Sequence, residues 1–307
     1  MKKRKQDLIS IEFMHGEEIG KIFSLAEIMK SNKNKHSNSL ERKVLAMIFE
    51  KPSLRTRATF ETGIYELGGH GIYLGPNEIQ IGKRESIYDV AKNLERWAHG
   101  IVIRTFAHNN ITAFAEAAEI PVINALDDLL HPCQALTDLF TLKEQTGTLR
   151  GQNLAWVGDG NNVAHSLMWA CAKTGVNMDL AVPDGYEPDS EITAKVLKEA
   201  SNNGVKIRIL HDPVEAVKSA DAVYTDTWAS MGQESEAELR KKVFKPYQVN
   251  SLLMKEAKPA AFFMHCLPAH RGEEVTDDVI DSSRSIVFEQ AENRLHVQKA
   301  IMLQLMK

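Results

Sequence analysis

Short apolar runs alternate with helically spaced apolar positions along most of the chain. In the first half the runs are VLAMIF (44–49), GIYL (71–74), GIVIR (100–104) and PVINA (121–125). In the second they are LAWVG (154–158), MDLAV (178–182), VKIRIL (205–210), DAVYT (221–225), AAFFMH (260–265) and SIVFE (285–289). Such continuous runs are the signature of strands buried on both faces. Between them Phe60, Ile64 and Leu67 recur at helical spacing and stop at Gly68–Gly69. Ile87, Val90, Leu94 and Trp97 follow Ser86, which is placed to cap them, and Val163, Leu167 and Cys171 run to Gly175. This alternation predicts an α/β fold of parallel sheets flanked by helices, joined by right-handed crossovers.

The polar stretch KEQTGTLRGQN (143–153) falls between a helix and a new strand and predicts a domain boundary. Two domains follow, residues 1–147 and 148–289, and 307 residues suffice for two cores of ordinary size. The terminal AENRLHVQKAIMLQLMK reads as part of one long helix, 290–307, expected to pack back on the first domain.

In open parallel sheets, ligands bind beyond the carboxyl ends of the strands. Polar constellations fall at such ends repeatedly: FEKPSLRTR, Arg104 of GIVIR, HPCQ, GDGNN, DTWASMG and HCLP. Ser53 is a natural N-cap, and the amides of a first helical turn, at the positive end of the helix dipole, bind anions. Arg55 adds a donor fork matched to phosphate or carboxylate. Arg57, two residues on, leaves that helix face. Taken alone, this segment reads better as a capped helix with solvated arginines. His131 and Gln134 share a face at a helix start, an ordinary pairing in isolation, and Cys133 points elsewhere as packing. Gly158-Asp159-Gly160 is followed by Asn161-Asn162-Val163, so the dinucleotide fingerprint lacks its third glycine, and a polar small-molecule contact fits better than NAD. Cys266 ends a buried strand beside Pro268, at an X-Pro bond that admits a cis peptide. His265 belongs on the opposite strand face, which disfavours covalent cysteine catalysis.

Composition narrows the classes. With 43% hydrophobic and 25% charged residues the chain is globular, and a net charge of −4, from 37 basic and 41 acidic residues, gives no reason to expect nucleic acid. No apolar run approaches the roughly 20 residues a membrane helix needs. MKKRK is followed by Gln6 and Asp7, so no secretory leader is expected. Cys133, Cys171 and Cys266 are odd in number and far apart, which argues against disulfides or a cysteine zinc site and for the cytoplasm.

The ordered set S-x-R-T-R, HPxQ, GDxNN, D-x-x-x-SMG, HCLP and a late ENR resembles the aspartate/ornithine carbamoyltransferase family, and within it the members acting on ornithine. The resemblance covers most of the chain and implies a carbamoyl-phosphate-binding first domain, an ornithine-binding second domain and a site in the cleft between them. It implies that Ser53, Leu54, Arg55 and Thr56 hold the phosphate, while Arg104, His131 and Gln134 meet the carbamoyl end and Arg294 closes on it. By the same resemblance Asn162, Asp226, Ser230 and Met231 hold ornithine, Asp226 at its α-amino group, and Cys266 and Leu267 lie beside the reacting δ-amine. The implied catalytic set is Arg104, His131, Cys266 and Thr56. Gln80, in NEIQIGKRES, matches a loop that reaches a neighbouring subunit's site, so a homotrimer is expected; no metal or cofactor is implied.

One position departs from the family pattern: Leu54 stands where threonine or methionine is usual. The change is near neutral if that residue contributes its backbone amide. Aspartate, putrescine or N-acetylornithine are alternative acceptors, but SMG after Asp226 and HCLP favour ornithine. A catalytically silent binding subunit would have lost anion-site residues, and a nicotinamide dehydrogenase would need the missing glycine.

Overall fold

The computed structural model describes residues 5–82, 84–229 and 232–307. Two compact units emerge, Met1–Thr137 with Glu292–Lys307 and Asp138–Ala291. The division falls inside a helix, upstream of the polar 143–153 stretch.

The first unit runs α1 (Gly16–Ser31), β1 (Val44–Phe49), α2 (Arg55–Glu66), β2 (His70–Leu74), α3 (Ile87–Trp97), β3 (Gly100–Arg104), α4 (His108–Ala117) and β4 (Val122–Leu126). Its sheet is parallel in the order β2-β1-β3-β4. The central strands are apolar because both faces are covered, and every residue of β3 is buried. Ala46, Ile48, Ile101 and Ile103 pack with Phe114 and Leu94 in one core. Ser86 caps α3 as its spacing predicts, accepting the Asp89 amide at 3.0 Å. Because β1 leads away to β2 while β3 continues to β4, the loops after β1 and β3 diverge at the sheet's switch point.

Helix α5 (Pro132–Thr146) carries the chain across the division. The second unit then runs β5 (Asn153–Val157), α6 (Asn162–Thr174), β6 (Asn177–Ala181), α7 (Ser190–Asn202), β7 (Ile207–Leu210), α8 (Pro213–Val217) and β8 (Ala222–Thr225). It ends with α9 (Ala237–Phe244), α10 (Ser251–Glu256), β9 (Phe262–His265), α11 (Asp277–Ile280) and the start of α12 (Val287–Met306). This sheet is also parallel, in the order β7-β6-β5-β8-β9, with its switch point between β5 and β8. A two-domain α/β fold is therefore what the chain adopts.

One expected strand is corrected. SIVFE contributes only a bridge from Ser285 to Phe263, with the Ile286 amide donating to the Phe263 carbonyl at 3.0 Å. From Val287 the chain is helical. Ile286, Val287 and Phe288 are divided between bridge and first helical turn, a division that an apolar run cannot reveal.

Candidate active site

In the first unit the loop after β1 delivers the anion-site candidates. Ser53 accepts the Thr56 amide at 3.2 Å, so its hydroxyl does the capping, although the helical backbone already begins at Leu54. Leu54 is 77% exposed, which leaves its backbone as what position 54 presents to the helix start. Arg55 is half-buried, whereas Arg57 turns outward, stacked 3.6 Å over the Tyr73 ring and bonded to Glu61 at 3.1 Å. Gln80 lies in an exposed loop.

Arg104 ends β3 opposite Phe49 and is buried. His131 is set by the turn after β4, where the buried Asp127 carboxylate accepts the Leu129 and Leu130 amides at 2.8 and 2.7 Å and the Asn124 side-chain amide at 2.8 Å. Burial, with the positive Arg294 and Arg104 nearby, holds His131 well below the usual imidazole pKa, hence neutral. Arg294, from α12, is also buried and joins these residues into one set. Its guanidinium donates to Thr56 Oγ1 at 3.1 Å and to Gln134 Oε1. With the Gln298 amide turned to donate to Thr59, its oxygen accepts from Arg294 Nη2 at 2.8 Å and Nε at 3.1 Å. Thus Thr56, Gln134 and Arg294 are directly connected, and Arg104 and Arg294 both act electrostatically on His131. Burial pushes the Cys133 thiol up to about 12, so it is inert packing bonded to the Asn124 carbonyl at 3.4 Å.

The second unit presents a carboxylate and a thiol at two strand tips. Cys266 Sγ donates to Asp226 Oδ1 at 3.0 Å, the Thr227 amide donates to the same oxygen at 2.8 Å, and Asn161 Nδ2 donates to Oδ2 at 2.9 Å. A carboxylate has about four acceptor positions, and these three bonds leave room for a further donor. Asn162 opens α6 beside this group, half-buried. Two glycines explain the preceding GDGNN turn: Gly158 sits at φ 142°, and a Cβ on Gly160 would lie 2.3 Å from the Pro188 nitrogen. Between them, burial pushes Asp159 up to about 6 although Arg240 bonds it at 3.0 Å. Arg240 also donates to the Trp228 carbonyl at 2.9 Å, fixing the segment after β8. Ser230 and Met231 lie outside the described residues.

The loop after β9 contains a cis Leu267–Pro268 peptide, and Leu267 takes a positive φ of 58°. His265 supports it from below: its Nδ1 accepts the Leu267 amide at 2.8 Å and its Nε2 bonds Glu274 at 3.1 Å, with both side chains fully buried. Strand alternation does not separate His265 from the thiol, since a ring nitrogen lies within 4.8 Å of Cys266 Sγ. Asp226, His265 and Cys266 offer ligand-type atoms within 4.8 Å of one another, but the two ring nitrogens of His265 are spent on Leu267 and Glu274.

Residues 6–144 match the family model for the carbamoyl-P binding domain of aspartate/ornithine carbamoyltransferase, and 150–305 match that for the Asp/Orn binding domain. The chain belongs to the aspartate/ornithine carbamoyltransferase family. The ornithine carbamoyltransferase of Thermococcus kodakarensis is 54% identical over 97% of this chain and 95% of its own. Among solved structures, the ornithine carbamoyltransferase from Pyrococcus furiosus superposes with a TM-score of 0.96 at 50% identity, covering 98% of this chain and 97% of that one. The enzyme from Giardia lamblia gives 0.91 at 32% identity, covering 99% of each. Within this carbamoyltransferase, the sequence pointed to neither Glu274 nor Arg240, and it gave Asn161 and His265 no supporting task. Asn161 alone left a signal, as the side chain placed to cap α6.

Proposed function

We propose that the protein transfers the carbamoyl group of carbamoyl phosphate to the δ-amine of L-ornithine, giving L-citrulline and phosphate. The observation that carries this reading is the full-length likeness to ornithine carbamoyltransferases, at 54% identity in the Thermococcus kodakarensis relative. In this reading the first unit takes carbamoyl phosphate and the second takes ornithine. Ser53, Arg55 and the amides at Leu54 and Thr56 hold the phosphate; Gln134 and Arg294 hold the carbamoyl end. Asp226 takes the α-ammonium of ornithine with Asn162, Ser230 and Met231, and Cys266 and Leu267 border the δ-amine.

The δ-ammonium has a solution pKa near ~10.4, so reaction requires its neutral form. The amine lone pair bonds to the carbonyl carbon, and charge gathers on the carbonyl oxygen. Arg104, the N–H of neutral His131 and the Thr56 hydroxyl stabilise that oxyanion. Collapse breaks the carbon–oxygen bond to phosphate, which departs with the bonding pair and takes up the amine proton. Fixing both reactants supplies up to ~7–11 kcal/mol of the barrier reduction.

The test is citrulline formation from carbamoyl phosphate with ornithine, putrescine, aspartate and N-acetylornithine as acceptors. Ornithine is expected to give the highest kcat/KM; preference for another amine overturns the acceptor assignment. The assembly proposed is a homotrimer in which Gln80 reaches a neighbour. Supporting it, β2 is a sheet edge, Ile72 on it is exposed, and Tyr65 on the adjoining α2 is 79% exposed. Sedimentation should give a trimer's mass, and a monomer at assay concentration would overturn it. No described helix is long and apolar enough to cross a membrane. Cys133, Cys171 and Cys266 are free thiols, which supports a cytoplasmic place.

A further inference from the structure

Beneath the tips of β8 and β9 lies a buried polar chain built from residues that have no assigned part in holding substrate. Asp138, fully buried in α5, accepts the Tyr224 hydroxyl on Oδ2 at 3.1 Å and the Gln290 Nε2 on Oδ1 at 2.9 Å. Gln290, 1% exposed on α12, turns its Oε1 to the backbone amide of His265 at 3.0 Å. The orientation of the Gln290 amide is therefore determined, since a carboxylate accepts and a backbone N–H donates. Tyr224 stacks on Trp156 at 5.1 Å, and both burial and the Asp138 charge push its pKa well above 10, so it remains a donor.

The topology gives this chain a purpose. Tyr224 is two residues before Asp226, and His265 is one before Cys266. One carboxylate thus grips β8 directly and β9 through Gln290, at the ends from which Asp226 and Cys266 project. Strands β8 and β9 are neighbours with Thr225 paired to His265. The 3.0 Å separation of Cys266 Sγ from Asp226 Oδ1 is therefore fixed from below as well as by its own hydrogen bond.

We propose that Asp138 and Gln290 form a positioning relay that sets the Cys266 thiol against the Asp226 carboxylate, and through it the ornithine end of the reaction. The ornithine part rests on the assignment of Asp226 and Cys266 given above. Gln290 is a positioning residue, acting on the reaction through the backbone of His265. Removing it leaves the buried His265 N–H without this acceptor and takes one donor from the buried Asp138 carboxylate.

The experiment uses the full chain with Gln290→Met and Gln290→Glu, following steady-state constants for both substrates and alkylation of substrate-free enzyme by iodoacetamide. Cys133 and Cys171 are fully buried, so alkylation reports Cys266. In Gln290→Met the thiol is released from Asp226: alkylation accelerates several-fold and the ornithine KM rises roughly tenfold, with the carbamoyl phosphate KM unchanged. In Gln290→Glu the introduced carboxyl group accepts from the His265 amide at any pH but donates to Asp138 only when protonated. Burial beside Asp138 raises the pKa of that carboxyl group, so the alkylation rate of the variant relative to wild type should return toward unity on acidification, while that of Gln290→Met should not. A merely structural glutamine would lower Tm in both without this pH signature. Tyr224→Phe keeps Gln290 and should shift alkylation the same way by less, which holds the test open if Gln290→Met fails to fold. Unchanged alkylation in folded Gln290→Met and in Tyr224→Phe overturns the relay. Faster alkylation with an unchanged ornithine KM upholds the positioning of the thiol and instead sinks the ornithine assignment of Asp226 and Cys266.

Discussion

Replacing Arg294 by Met is expected to lower kcat by about 10²–10³-fold, because the Thr56 hydroxyl, one of the preorganised oxyanion donors, loses the guanidinium that orients it. The side chain is 3% exposed, and its donors are spread over Thr56, Gln134 and Gln298. Substitution therefore removes the charge and also leaves the Thr56 hydroxyl without the partner that orients it. The carbamoyl phosphate KM should rise together with the loss in kcat, while the ornithine KM stays close to wild type. A second signature follows from His131, whose pKa Arg294 helps to depress. A histidine with a native pKa below its unfolded value of ~6.5 contributes stability above pH ~6.5 that is lost as pH falls toward the native pKa. Without Arg294 the native pKa rises, so less stability in total should be lost as pH falls from about 6.5 toward the acid unfolding range. Measuring kcat and Tm across that range checks both. Full activity in the Met variant removes Arg294 from the site, and an unchanged acid response removes its coupling to His131.

The alternation of apolar runs and helical spacing was enough to anticipate the nine strands among the described residues and helices α2, α3 and α6, because a strand covered on both faces admits few polar residues. It failed at SIVFE, where a bridge and a helix start share three apolar residues. The site was legible where a residue type is demanded by a local device. Ser53 and Ser86 cap, as their places before a helical pattern require. It was not legible where partners come together only through the fold. Gln290 and Asp138 are 152 residues apart, and Arg294 and Gln134 160 apart. No spacing rule connects such pairs, although each helix carries its two members one turn apart. The task of His265, holding the Leu267 amide with Glu274 behind it, depends on a turn that alternation does not describe.

Changing Asp226 to Asn should raise the ornithine KM roughly ten- to a hundredfold and leave the carbamoyl phosphate KM intact, corresponding to the loss of a charge-assisted contact of ~1.5–3 kcal/mol. The substitution conserves size, but it does not conserve hydrogen bonding. Asn161 donates its amide nitrogen to Asp226 Oδ2, and an asparagine oriented to keep the Thr227 and Cys266 bonds on its oxygen would oppose that nitrogen with another. Asn161 cannot relieve the conflict by turning, because its own oxygen accepts the Val163 and Ala164 amides that start α6, at 2.9 and 3.1 Å. Reversal would forfeit that cap, at about 1 kcal/mol, and bury an unpaired donor besides. A double variant, Asp226→Asn with Asn161→Asp, restores a donor–acceptor pair and the cap while moving the negative charge to residue 161. If Asp226 serves ornithine through its charge at that place, the double variant should recover Tm but not the ornithine KM. Recovery of both would mean that Asp226 acts by organising the loop alone, and equal loss of affinity for both substrates in the single variant would show a folding defect in place of a binding role.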